Sequence, residues 1–497
     1  MNITHANILD WAREYRGPKF HACLCDAPYE MEFMGKGWDN SGVAFDPDTW
    51  RLIAQHLHPG AFLFVFAGTL NDDLISVAMR QAGLRKYHRA MAWSYGSGFP
   101  KATRLDVAID RRAGAERATV GTRRQSGAKF SLTQELIDNG GFNDPARSSF
   151  DVTAPATDAA QTWQGHRYGG QALKPAVESI LVFQRPYAGR PLDSIVATGA
   201  GALWIDGGRI GSDDDLNGGA YSGNGDRNTL FGIGNSGREF ARPAGRWPAN
   251  FALVHHPACD AAACHADCTV LRLGAQSGEL SSGERTIGTP RNGTSEHLPG
   301  LSQSVSNRDF ESSTGTAARF FFNSDWMYER LEAADQVGYF AKASRAEREA
   351  GLDPRTIAML GADDFAEATI NDGRAKSIDN PYQRGETTRR NIHATVKPIS
   401  LARWLATLLL PPAEYGPRRL LVPFAGVASE MIGAMLAGWE EIEGIELGAD
   451  HVEIARARMA YWQQRRYELL DPAAPLTVKA APDAPRGQLD MFFDEAA

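Results

Sequence analysis

Cysteine is scarce in this sequence, with five residues among 497. So small and odd a number does not build a disulfide framework and fits a reducing compartment. Long apolar runs are missing as well. The stretch from Ala61 to Gly68 falls far short of the roughly 20 residues that span a bilayer, so no membrane association is expected. The opening Met1-Asn2-Ile3-Thr4-His5 has no basic patch followed by an apolar segment, so no secretory signal is expected and the cytoplasm is the anticipated compartment. No internal repeat is found. Positive charge is in deficit, because 52 Lys+Arg less 60 Asp+Glu leaves −8, which at first sight speaks against a polyanionic partner.

What is present is ordinary globular composition, 43% hydrophobic and 23% charged. At roughly 150 residues per domain, the length suggests about three domains. Glycine is in excess, at 50 residues, which implies long turn-rich loops. Lys19 to Asp26 has the pattern of a short buried strand ending at an acid. Apolar positions at helical spacing follow over Trp50 to His58, with Pro59-Gly60 as the stop, and then a strand over Ala61 to Ala67 and a helix over Leu74 to Ala82. Alternating strands and helices predict an α/β fold with a parallel sheet covered on both faces.

Texture changes between about Thr198 and Gln383, where Gly, Ser, Asn and Asp dominate and apolar periodicity is weak. Order returns with a helix over Ile399 to Leu410 closed by Pro411-Pro412, a strand over Arg419 to Pro423, a helix over Ser429 to Ala437, a strand over Glu441 to Glu446 and a helix over Ala449 to Arg465. The expected organisation is an α/β domain in two halves, 1–197 and 386–470, around an inserted loop-rich module, 198–385. A Pro/Ala-rich tail, 471–497, is expected to be disordered.

Three short motifs carry the chemistry. Asp26-Ala27-Pro28-Tyr29 closes a strand, at the edge where ligands of open α/β sheets bind. Pro423-Phe424-Ala425-Gly426-Val427-Ala428-Ser429 forms a strand-turn-helix, followed by Glu446 at the end of the next strand. This turn does not read Gly-x-Gly-x-x-Gly, which weighs against a dinucleotide oxidoreductase. His393-Ala394-Thr395-Val396-Lys397-Pro398 leads into the Ile399 helix, with Pro398 placed where a first-turn proline is favoured.

In combination and in this order, the motifs resemble the amino-group DNA methyltransferases of the permuted beta type, phage and prophage members included, over most of Asn2 to Arg465. The resemblance implies a Rossmann-like methyltransferase sheet, S-adenosylmethionine (SAM) as cofactor, double-stranded DNA as partner, and the inserted module as the target-recognition element. Asp26 and the Ala27 carbonyl would accept the two hydrogens of an exocyclic base amine, and Tyr29 would stack on the flipped base, with Pro28 completing the motif. Asn7, His393, Thr395, Lys397, Pro423, Phe424, Gly426, Ser429 and Glu446 would surround the cofactor. The sequence departs from the family pattern at Ala27, where proline is usual, and at Val422 and Ala428, where Asp and a second Gly are usual. Asp at the head of the motif leans toward adenine N6 as the acceptor, with cytosine N4 as the alternative. The three departures motivate a different class of reading, a DNA- or clamp-binding protein without catalysis.

Regional charge changes the meaning of −8. Arg85 to Lys129 holds 11 Lys+Arg against 3 Asp+Glu, and Arg374 to Arg403 holds 7 against 2, so the remainder carries −21. Two basic segments on an acidic body fit a phosphate-tracking cleft, with Lys101, Arg104, Arg123, Arg124, Arg389 and Arg390 as contacts. His256, Cys259, Cys264 and Cys268 offer one imidazole and three thiols for a structural zinc, as against a reduced, metal-free loop. In the tail, Gln488-Leu489-Asp490-Met491-Phe492 resembles the peptide by which bacterial DNA enzymes bind the sliding clamp. Gln488, Leu489, Met491 and Phe492 would be its anchors. A bacterial or phage-infected cell, and a monomer or homodimer, complete the expectation.

Overall fold

A computed structural model of the chain describes residues 1–30, 41–87, 90–95, 100–124, 149–173, 175–210, 245–253, 268–281, 314–317, 322–323, 345–352, 368–371, 386–391, 393 and 396–470. The fold class is α/β, as the alternation of elements predicted. Ten strands form one sheet, labelled in chain order β1 (Asn2–His5), β2 (Phe20–Asp26), β3 (Leu57–Ala67), β4 (Arg85–Lys86), β5 (Met91–Ser94), β6 (Val177–Gln184), β7 (Phe251–Leu253), β8 (Phe322–Asn323), β9 (Arg419–Pro423) and β10 (Glu441–Glu446). Their spatial order is β1-β10-β9-β2-β3-β6-β5-β7-β8, with β4 beside β6. Every neighbouring pair is parallel except those made by β6, which is antiparallel to β3, β4 and β5. The sheet is therefore mostly parallel, with one reversed strand that the sequence pattern did not mark.

Strands from the two ends of the chain interleave. β9 lies between β10 and β2, pairing Leu421 with Glu443 on one side and with Cys23 on the other. The stretch 198–385, read from its texture as a module of its own, adds β7 and β8 to the edge of the same sheet. Among the described residues four two-stranded ribbons stand apart from it, including Lys101–Arg104 with Arg167–Gln171 and Thr119–Arg124 with Ser149–Thr153.

The pleat sorts the core into two layers, because successive side chains of a strand point to opposite faces. Leu24, Phe64 and Val422 share one face with Trp404 and Leu405 of the helix Ile399–Leu409 and with Met431 and Ile432 of the helix Ser429–Ala437. Cys23, Cys25, Leu63, Val65 and Leu421 point to the other, against three helices: α1 (Ile8–Glu14), α2 (Pro47–Gln55) and α3 (Asp72–Gln81). Burial on both faces explains why β2 shows no polar alternation: its first six residues are all buried. Four of the later helices matter here and are labelled α4 (Leu105–Ala113), α5 (Ile399–Leu409), α6 (Ser429–Ala437) and α7 (Ala449–Leu470).

One boundary differs from its expectation. α2 ends at Gln55, and β3 already begins at Leu57, so Pro59-Gly60 lies inside the strand rather than ahead of it. Gly60 has φ +83° and donates its N–H to the Arg185 carbonyl at 3.1 Å, so the irregular turn of chain keeps its hydrogen bond. No helix among the described residues is long and apolar enough to cross a membrane.

Because all strands but β6 run the same way, the last residues of β1, β2, β3, β9 and β10 gather at one edge. Leu421 has no exposed surface and sits on the strand that joins the two halves. Leu421→Ala is expected to cost about 3 kcal/mol in urea unfolding, from lost transfer energy and the cavity left behind.

Candidate active site

Asp26 ends β2 at that edge, and its side chain keeps 16% exposure. Lys397, with 5% exposure, places its ammonium 2.7 Å from each Asp26 carboxylate oxygen. The same Nζ lies 5.1 Å from the centre of the Tyr29 ring and 5.0 Å from that of Phe66, so two aromatic faces add to its stabilisation. Burial lifts the Asp26 carboxyl above the ordinary carboxylate range, against the pull of the Lys397 ammonium. Burial alone would depress Lys397, but Asp26, Glu178 and Glu430 outweigh it and raise its pKa.

The rest of the first motif is fixed around this pair. Ala27 and Pro28 are buried. Tyr29 donates its hydroxyl to Glu178 at 2.9 Å, and its backbone carbonyl accepts from Asn71 Nδ2 at 2.9 Å. Burial, reinforced by Glu178, pushes the Tyr29 and Tyr95 phenols up, so both stay protonated. Glu30 takes a left-handed φ of +53°, and its carboxylate accepts the N–H groups of Gly42 at 2.8 Å and Ala44 at 3.2 Å.

The second motif is a tight turn between Pro423, the buried last residue of β9, and α6. Phe424, Gly426 and Ala428 have φ of +54°, +51° and +66°. A Cβ at Gly426 would come within 2.9 Å of His393 Nε2, so only glycine fits there. Glu446, ending β10, pins the turn: Oε2 accepts the Gly426 N–H at 2.8 Å, while Oε1 accepts from Gly448 at 2.9 Å and lies 3.2 Å from His451 Nδ1. Although burial opposes it, these donors hold the Glu446 carboxyl below the ordinary range. From the other side the fully buried Arg458 of α7 donates to the Val427 carbonyl and, at 3.3 Å, to Ser429 Oγ. Val422 is a core residue with no exposure. Ala428 keeps the left-handed geometry of the absent glycine at a strain of about 1–2 kcal/mol.

The third motif meets the other two. The His393 ring packs edge-on against His451 with centroids 4.6 Å apart, and its backbone N–H donates to Asn391 Oδ1 at 3.0 Å. Thr395 lies outside the described residues. The first N–H of α5, that of Ile399, is capped by the buried Glu347 at 2.6 Å. Asn7 stands at the same edge after β1, but its side-chain oxygen caps α1 by accepting from Leu9 at 2.8 Å.

The residues named for phosphate contact separate. Arg104 closes on Asp106 through 2.6 Å and 3.2 Å bonds, and Arg117 joins them at 2.9 Å while also reaching Asp110. Arg390 is half-buried next to Asn391. The side chains of Lys101, Arg123, Arg124 and Arg389 lie outside the described residues, although their backbones form the ribbons named above and the ribbon Ala368–Asn371 with Glu386–Arg389. His256, Cys259 and Cys264 also lie outside, as do Gln488, Leu489, Met491 and Phe492. Cys268 is buried ahead of the helix Thr269–Ser277, and among the described residues no group of three His, Cys, Asp or Glu could hold a metal ion.

Glu178, Asn71, Glu347, Glu430 and Arg458 were not singled out from the sequence. Glu430 carried a local signal, an acid in the first turn of α6; for the others only the folded sheet supplies the partner.

No protein-family model matches the chain, and neither does any curated protein. Among solved structures it is similar to the PvuII DNA methyltransferase, cytosine-N4-specific, at 7% identity and a TM-score of 0.33, covering 94% of this chain and 91% of that one. It is also similar to the M1.HpyAVI–SAM complex, at 8% identity and a TM-score of 0.30 over 92% and 98%. A third is the Thermus thermophilus protein TTHA0409, described as a candidate DNA modification methylase and complexed with S-adenosyl-L-methionine, at 10% identity and 0.30 over 93% and 95%.

Removing Lys397 would strand a buried carboxylate. Lys397→Met is expected to cost about 3 kcal/mol, the low end for a broken buried pair because Asp26 keeps some exposure. Most of that should return in the Lys397→Met, Asp26→Asn double variant, as read by denaturant unfolding of the four proteins.

Proposed function

We propose that this chain is a SAM-dependent DNA methyltransferase acting on an exocyclic base amine, with adenine N6 favoured and cytosine N4 the alternative. The observation that carries the reading is the meeting of Asp26 with the Phe424–Ser429 turn and Lys397 at one edge of the sheet. The residues fit the cofactor. The Gly426 turn has no side chain between its backbone and the His393 ring, Glu446 presents a carboxylate beside it, and a buried oxygen of Glu430 has no hydrogen-bond partner. Phe424, Gly426 and Glu446 would hold it, with His393 packed behind the turn. When bound, SAM supplies an electrophilic methyl group.

The chain's own contribution is to prepare the nucleophile. An exocyclic amine is a weak nucleophile because its lone pair is delocalised into the ring. Hydrogen bonds from its two N–H groups to the Asp26 carboxylate and the Ala27 carbonyl would favour a pyramidal nitrogen with an available lone pair. Lys397 occupies both Asp26 oxygens at 2.7 Å, and each oxygen retains a further lone pair for an incoming N–H. Tyr29, held at its hydroxyl by Glu178, keeps its ring oriented to stack on a base taken out of the duplex. After transfer the amine carries one proton too many, and the Asp26 carboxylate, hydrogen-bonded to it in this reading, would accept it.

Incubation of DNA with labelled SAM, digestion and identification of the nucleoside tests the reading directly. N6-methyladenine is expected, with Asp26→Ala lowering its formation by about 100-fold or more. Methylcytosine would reject the base choice, and undiminished product from the variant would reject the role of Asp26. DNA binding without SAM binding would support the non-catalytic alternative.

Arg104 gives a separate test. Its guanidinium is already paired with Asp106, so Arg104→Ala should leave the salt dependence of DNA binding unchanged. Arg123→Ala should lower the slope of log K against log salt by about 1.

A further inference from the structure

Glu430 is a buried ionisable group at this edge to which the proposed reaction assigns no work. It stands in the first turn of α6, directly after the cofactor turn, with 4% exposure. Its Oε1 has no hydrogen-bond partner, and among the described residues no cation lies within ion-pair distance of it. The two cations that face it are committed elsewhere. Lys397 spends its ammonium on both oxygens of Asp26, and Arg458 spends its two terminal nitrogens on the Val427 carbonyl, Ser429 Oγ and the Glu347 carbonyl, leaving only its buried Nε unbonded. The neighbouring titratable groups on β2 are Asp26 and Cys25, and the thiol is held neutral by burial.

Counting charge makes the imbalance explicit. Asp26 and Lys397 cancel; the fully buried Arg458 is the other cation facing Glu430, but its bonds run to two carbonyls and a hydroxyl and it forms no ion pair with Glu430, so the acid must either keep a proton or draw a cation into contact. Burial, with Asp26 adding to it, pushes the Glu430 carboxyl up to about 7 against the opposing influence of Lys397 and Arg458. Near neutrality a small change in local charge therefore decides its state. SAM carries a net positive charge at its methionine end, a sulfonium and an α-ammonium against one α-carboxylate, and the turn that precedes Glu430, Phe424 to Ser429, holds no acid of its own.

Resting on the methyltransferase reading, we infer that Glu430 is the counter-ion for the cationic methionine end of SAM, and that it exchanges its proton for that charge when the cofactor binds. The balance is simple: a neutral carboxylic acid and cationic SAM become a carboxylate–SAM ion pair, and one proton leaves to the buffer. Affinity for SAM then rises with pH below about 7, because only the ionised fraction of Glu430 is ready to accept the cation.

Titration calorimetry of the full-length protein with SAM, in two buffers of different ionisation enthalpy, reads this without turnover. Between pH 5.5 and 7.0, SAM binding is expected to tighten about tenfold, with release of about one proton at the lower pH. Glu430→Gln, isosteric and already neutral, should bind more weakly at pH 7.0 and lose both the pH dependence and the proton release. Wild-type binding of SAM with no proton released would overturn the inference and leave the methyltransferase reading standing. Proton release that persists in Glu430→Gln would also overturn it, since His393 and His451 beside Glu446 would then be the source. Absence of any SAM binding by wild type would defeat the reading on which the inference rests.

Discussion

The Asp26–Lys397 ion pair spans 371 positions of sequence, and much of the architecture is a condition for it. Asp26 ends a strand buried on both faces, so its carboxylate enters a setting where an unpaired charge costs several kcal/mol. The ammonium arrives from the segment immediately before α5, and the start of α5 is set in turn by Glu347 capping Ile399. α5 also carries Trp404 and Leu405 into the layer that covers Leu24, Phe64 and Val422. Packing of that layer and placement of the charge are therefore one problem: a shift of α5 along the sheet would misplace Lys397 and expose the core together.

The turn after β9 is the second place where the fold accepts local cost for geometry. Phe424 and Ala428 sit in the left-handed region without being glycine. Such residues persist only where their surroundings over-determine them. Here Glu446 grips the Gly426 N–H from the neighbouring strand, and Arg458 grips the Val427 carbonyl from α7. A turn held from both sides needs little rearrangement to receive a ligand, and preorganisation of this kind lowers the ordering cost of binding.

Much of this was legible in the sequence, for identifiable reasons. α6 and β10 fall on the residues expected, because Gly438 breaks the chain between them and takes a left-handed φ of +105°. β2 and β9 were legible as apolar runs closed by an acid and by a proline. The reversed strand β6 was not, since nothing in an apolar pattern records direction. Nor was the Glu178 carboxylate as partner of the Tyr29 hydroxyl, 149 positions away. Pro59-Gly60 misled because a proline–glycine pair ordinarily stops an element, whereas here Gly60 lets the strand run through. Arg104 is a different case. Its partner Asp106 lies only two residues on, so a local ion pair was open to inspection before any phosphate was invoked.

The structure also refines what regional charge can mean. Arg104 and Arg117 are neutralised by Asp106 and Asp110, yet all four lie within Arg85 to Lys129, so the net there stays at 11 − 3 = +8. That excess is carried by the other nine basic residues against Glu116. The segment from Arg374 to Arg403 behaves differently, because Lys397 is cancelled by Asp26, which lies outside it. Its effective excess falls from +5 to +4. Lys397 is buried and screened by that partner, so it adds almost nothing to the field that would steer a polyanion toward the sheet edge. In the proposed reaction, attraction of the substrate and activation of its amine would thus fall to separate groups: exposed arginines and lysines could vary without disturbing the ion pair at the end of β2, and the ion pair could be altered with little effect on encounter.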